Sequence, residues 1–74
     1  MNNRYKAEHI VLVIRQFAEH YSLQIKQAYQ YLKRYGGIAF IDDCYEAEHT
    51  LSLDDAIEDL SKVCSNHGGG LVYA

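Results

Sequence analysis

The sequence predicts an all-α fold, a compact small bundle of four helices with the third one short. Three observations carry that prediction. There is no proline, and glycine falls only at 36–37 and 68–70, so the punctuation of a turn-rich β fold is missing. Apolar residues recur at three- and four-residue spacing through most of the chain. The 49% apolar content is that of a globular protein, which argues against disorder. At 74 residues the chain makes one domain, 1–74. A domain that size buries only about 60% of its unfolded surface, so it leans on very regular helix packing, a metal, disulfides or a partner chain.

The first helix is expected over residues 3–21, with Asn2 or Asn3 as N-cap. Ile10, Ile14, Phe17 and Tyr21 fall at helical spacing, and Ala7, Val11 and Ala18 lie on the adjoining face. The run Ile10-Val11-Leu12-Val13-Ile14 is apolar nearly all round, as in a central helix that touches several neighbours or a second chain. A buried strand is the rival, but unbroken helical residues on both sides argue against it. Ser22 is the expected N-cap of a second helix, Leu23 to Tyr35, with a stripe of Leu23, Ile25, Ala28, Tyr29, Leu32 and Tyr35. Lys33 and Arg34 suit its negative dipole end, and Gly36 supplies a left-handed closing residue.

A third, shorter helix is expected from Ile38 to about Glu46, with Ile38, Ile41, Cys44 and Tyr45 inward and Phe40 nearby. His49-Thr50-Leu51 breaks it. Ser52 then opens the fourth helix, because Ser52-Leu53-Asp54-Asp55 resembles a capping box with Asp for Glu. Leu53, Ala56, Ile57, Leu60, Val63 and Cys64 form the cleanest amphipathic stripe, and Leu51 is placed to staple back on Ala56. Asn66 to Gly70 stops this helix, and Leu71-Val72-Tyr73-Ala74 reads as a short extended tail.

The apolar run near the start is too short for a signal core or a membrane span. Cys44 and Cys64 are therefore expected as reduced thiols in a cytoplasmic protein, packed as small hydrophobes. Charge is divided along the chain. Residues 1–37 hold six cations and two carboxylates, net +4, whereas residues 38–74 hold one cation and eight carboxylates, net −7. The split steers a charged partner or lets the two halves attract each other.

Few residue sets carry chemistry. Cys44, His49, Cys64 and His67 are a legitimate zinc set by type, but their Cys-x4-His and Cys-x2-His spacings do not follow the usual fingers. The plainer reading is two buried thiols and two surface histidines. Tyr29-Gln30-Tyr31-Leu32-Lys33-Arg34-Tyr35 joins aromatics to cations, as a single-strand nucleic-acid binder does. Drawn as a helix-turn-helix, however, its groove-entering helix would carry Asp42, Asp43, Glu46 and Glu48, which phosphate repels. His49 beside Asp42, Asp43 and Glu48 can be written as an acid–base site. No phosphate loop or nucleophile elbow accompanies it, so no enzyme and no cofactor is expected. His49 and Thr50 instead mark a helix corner, capped by Ser52, with His49 bonding a helix-end carbonyl or Thr50. Asp55, Glu58 and Asp59 read as the exposed face of the last helix and the candidate partner-binding residues.

Tyr45-Glu46-Ala47-Glu48-His49-Thr50-Leu51-Ser52, then Asp54-Asp55-Ala56-Ile57-Glu58-Asp59-Leu60, resembles a family of short bacterial proteins of unknown function. Its members end their third helix with an aromatic and an A-x-H-T step, followed by an acidic helix. Phe17 and the Ala28-Tyr29-Gln30-Tyr31-Leu32 to Tyr35-Gly36 stretch are similar to it as well, so the likeness spans most of residues 8–62. Cys44, Cys64 and the tail after Gly68 are not features of it. Members are often encoded beside an ADP-ribosyltransferase-like protein. The resemblance thus implies a protein partner, in an antitoxin-like or regulatory role, and brings no catalytic residues. A homodimer through the first helix is compatible with it.

Overall fold

A computed structural model describes residues 3–69 of the chain; the first residues of the sequence and the expected C-terminal tail lie outside them. Five helices follow one another: α1 Asn3–His20, α2 Ile25–Arg34, α3 Gly37–Asp43, the single turn α4 Tyr45–Glu48, and α5 Leu53–Asn66. Among the described residues there is no strand, and no helix is long and apolar enough to cross a membrane. The all-α expectation therefore holds, with four helices of substance and one added turn.

The core forms because α1 is the helix that the others share. Val13, Ile14, Phe17 and Ala18 are buried along its inner side and meet Ala28 and Leu32 of α2, Ile41 of α3, and Ile57, Leu60 and Cys64 of α5. α1 packs on α2, α3 and α5, while α3 closes the structure by touching both α2 and α5. Phe17, fully buried, holds the centre. Its ring lies 4.8 Å from that of Tyr21 and stacks at 5.9 Å on Tyr31, which in turn tilts against Tyr35 at 4.9 Å. Burying such rings contributes more than any aliphatic contact in a domain this small. Among the described residues an ion pair joins the basic and acidic halves: Lys6 Nζ of α1 stands 2.8 Å from Asp42 of α3.

Four sequence expectations are corrected here. Ser22 does not cap α2. It takes a left-handed backbone, φ 56°, after α1, where Ser22 N–H donates to Glu19 O and Leu23 N–H to Ala18 O, so it closes the first helix. The N-cap of α2 is Gln24, whose N–H donates to Gln27 Oε1 at 2.9 Å, and the helix begins at Ile25 rather than Leu23. Within α2, Ile25 and Tyr29 lie four apart on the outer side and stay exposed, and Tyr31 takes the inward place instead. The expected third helix is split at Cys44, whose ψ of 21° turns the backbone out of the helical region between α3 and α4.

Other expectations stand. Gly36 closes α2 in the left-handed region at φ 82°, and Phe40 N–H donates to its carbonyl at the start of α3. Ser52 caps α5, its Oγ accepting from Asp55 N–H at 3.2 Å. Leu51, by contrast, remains exposed. At the end of α5, Gly68 reverses the chain and lays Gly69 flat on two tyrosines; a Cβ there would stand 2.6 Å from Tyr35 Cγ.

Two substitutions test these backbone assignments by thermal melts. Ser22→Gly is expected to stabilise the fold by roughly 0.5–1 kcal/mol, since glycine meets no penalty in the left-handed region. Were Ser22 the N-cap of α2 instead, the same change would lower stability by a few tenths of a kcal/mol. Gly69→Ala is expected to cost about 1–3 kcal/mol through overpacking on Tyr35, and an unchanged melting temperature would refute that close approach.

Candidate functional site

The acidic residues singled out in the sequence divide into two kinds once α5 is folded. Ser52 fixes where the helix starts, so Asp54 and Asp55 sit in its first turn, exposed and beside the positive dipole end. Glu58 follows on the exposed side, one turn before Lys62, whose Nζ is 3.4 Å from its carboxylate. Such an exposed pair is weak and leaves the carboxylate open to a partner. Asp59 differs. It is half-buried and turned toward α4, where it hydrogen-bonds the side chain of Glu48. Of the expected trio Asp55, Glu58 and Asp59, only the first two lie on the outer face.

Among the described residues Glu48 is the charged residue that is buried, 6% exposed, and its Oε1 has no hydrogen-bond partner. Burial, then the hydrogen bond to Asp59 and that residue's negative charge, push the Glu48 carboxyl up to about 7. A carboxylic acid held that way donates its proton to the neighbouring carboxylate, and so joins α4 to α5. Sequence reasoning named Glu48 only among the acids near His49 and did not set it inward. The available signal was that Asp59 follows Ala56 by three and precedes Val63 by four, at the border of the apolar stripe.

Three rings pack together at the α4 corner. His49 stacks on Tyr45 at 4.6 Å, and His9 of α1 meets Tyr45 edge-on at 5.4 Å and His49 at 6.5 Å. His49 Nδ1 is 2.7 Å from Tyr45 O, and Thr50 Oγ1 donates to Ala47 O at 2.7 Å. The His-Thr step thus ties off the carbonyls of α4, as the sequence suggested, and Ser52 then restarts the helix. His9 Nε2 is buried without a partner, and burial, followed by the charge on His49, lowers its pKa.

The Cys/His quartet is not assembled. His67 Nδ1 contacts Val63 O at 2.7 Å, its ring lies beneath Gly36, and Cys64 is buried against Gly37 with its thiol pushed up by burial. Cys44 and His49 belong to the α3–α4 corner. Among the described residues no three His, Cys, Asp or Glu side chains stand where they would share a metal ion. The tyrosines of α2 are similarly occupied: Tyr31 and Tyr35 pack inward, while Tyr29 stays outside, with Lys33 5.9 Å from its ring. The clefts are open; one of about 340 Å³ lies beside the Lys6–Asp42 pair, lined by Asp43, Cys44, Tyr45 and Glu46.

A pH series tests the Glu48–Asp59 pair. Because the folded protein raises the Glu48 pKa above 4.5, folding binds a proton, and the stability from this group is full below about pH 4.5 and lost as pH rises through about 7. His9 acts in the opposite sense below 6.5, where the unfolded chain takes up the proton first. The difference between wild type and Glu48→Gln isolates the first effect. The variant is expected to lose the decline between pH 5 and 7.5, worth roughly 1–3 kcal/mol. Parallel pH profiles for the two proteins would refute it.

The chain belongs to DUF3791, a family of proteins of unknown function, whose sequence profile matches residues 8–67. Neither a curated protein nor a solved structure matches it.

Proposed function

We propose that this DUF3791 member is a non-enzymatic protein-interaction module, the antitoxin-like or regulatory partner of a neighbouring toxin-like protein, and that it binds through the acidic outer face of α5. The observation that carries this reading is the row Asp54, Asp55 and Glu58, exposed on a helix whose start is fixed by Ser52 and which offers Lys62 as its single cation. A rigid helix that presents three carboxylates to solvent supplies steering and orientation to a basic partner surface. The inward polar groups favour the same reading over catalysis. His49 and His67 each turn Nδ1 onto a backbone carbonyl, and Glu48 is spent on Asp59. The resemblance to proteins encoded beside an ADP-ribosyltransferase-like neighbour supplies the class of partner.

Co-expression with the product of the adjacent gene, followed by affinity capture, tests it. Asp54→Lys, Asp55→Lys and Glu58→Lys together are expected to weaken capture at least about tenfold and to leave helicity unchanged, since all three side chains are exposed. Capture that survives the triple reversal, at low salt as well as at ~0.15 M, counts against the acidic face. Asp59 is left unaltered because its loss would strand Glu48.

A further inference from the structure

α1 packs three helices with one side and still shows apolar side chains on the other. Val11 is 53% exposed and Leu12 48%, and with Ala7, Glu8 and Arg15 they line a shallow depression of about 400 Å³ on the outer face. Tyr5, 63% exposed, extends the same side toward the start of the helix. Two large aliphatic side chains at the middle of one helix face, bracketed by opposite charges, make a patch that a partner covers.

The arrangement specifies which partner. Glu8 and Arg15 are seven residues apart, two helical turns, so they lie nearly on one line along the helix. Their midpoint falls between Val11 and Leu12, which stand about 50° to either side of that line. A twofold axis through the midpoint, perpendicular to the helix, therefore maps this face onto a complement of itself. With a second α1 running antiparallel, Glu8 of each chain faces Arg15 of the other, while Val11 meets Val11 on one flank of the seam and Leu12 meets Leu12 on the other. The charge pair is made twice and the apolar residues meet their own copies across the axis, as an isologous interface requires. A parallel pair would instead set Glu8 against Glu8 and Arg15 against Arg15.

We infer that a second copy of this chain covers the outer face of α1, as an antiparallel homodimer in the register that pairs Glu8 with Arg15 and sets Val11 and Leu12 each against its own copy. The strip is one helix wide, short of the ~800 Å² per partner of a standard interface, so the dimer is weak, with a dissociation constant on the order of micromolar to tens of micromolar. The acidic outer face of α5 takes no part in these contacts, and the dimer stands or falls independently of the proposed partner.

Sedimentation equilibrium of the full chain, from roughly 5 to 300 µM, tests this across the expected dissociation constant. The mass is expected to rise from 8.5 kDa toward twice that value. Val11→Glu with Leu12→Glu should hold the protein monomeric throughout with unchanged circular dichroism. The charge swap fixes the register. Glu8→Arg and Arg15→Glu are each expected to weaken the dimer by about tenfold or more, and the double swap to restore it to within about threefold. A chain that stays monomeric at the highest concentration overturns the inference. So does a dimer indifferent to the Val11 and Leu12 changes, or one that the double swap fails to rescue. Uptake of the monomer by anionic lipid vesicles, abolished by the same apolar substitutions, would assign the face to a membrane surface and overturn it equally.

Discussion

The structure depends on the burial of Phe17. The ring is fully enclosed, and what encloses it comes from separate parts of the chain: Tyr21 just past the end of α1, and Tyr31 from α2. A 74-residue chain has little surface to hide, so its stability rests on a few large side chains that several helices share. With Val13, Ile14 and Ala18, Phe17 makes α1 a central helix rather than one leg of a symmetric bundle, and α2, α3 and α5 are arranged around it. Tyr21 extends that role, its hydroxyl 2.5 Å from Ser61 Oγ on α5, while Ser61 itself donates to Ile57 O.

The α4 corner is where burial and charge compete. A single helical turn has no stability of its own, and α4 persists through tertiary contacts. His49 and Thr50 satisfy its last carbonyls, Tyr45 packs on two histidines, and Glu48 reaches inward to Asp59. The cost is a carboxyl whose ionisation opposes burial. Desolvation favours the protonated carboxyl, so the stability contributed by Glu48 falls as pH rises through about 7.

Outward, the molecule offers two unlike surfaces. The acidic row of α5 is polar and lacks a matching cation row of its own. The outer side of α1 is apolar with opposite charges bracketing its middle. The first suits a partner of different composition, and the second suits a copy of itself, because only the second contains its own complement. Their separation on different helices lets a small protein use both without conflict.

The sequence by itself determined the helical class, the central position of the first helix, the left-handed Gly36 and the Ser52 cap, because these follow from spacing and local backbone chemistry. It also placed His49 and Thr50 at a corner, since those side chains bond carbonyls a few residues away. What only the tertiary structure decided involves partners distant in sequence. Asp59 looked like its neighbours Asp55 and Glu58, yet the approach of α4 turned it inward onto Glu48. Spacing put Tyr29 in the inward stripe, but α1 brought Phe17 against Tyr31 and left Tyr29 outside. Ser22 changed from starting one helix to ending another because the backbone between α1 and α2 needed a left-handed residue there. Val11 and Leu12 were visible as an excess of apolar surface, but which of that run faced solvent was set by the three helices that packed on the other side. Local rules act through neighbours along the chain; burial is conferred by whatever element arrives from elsewhere.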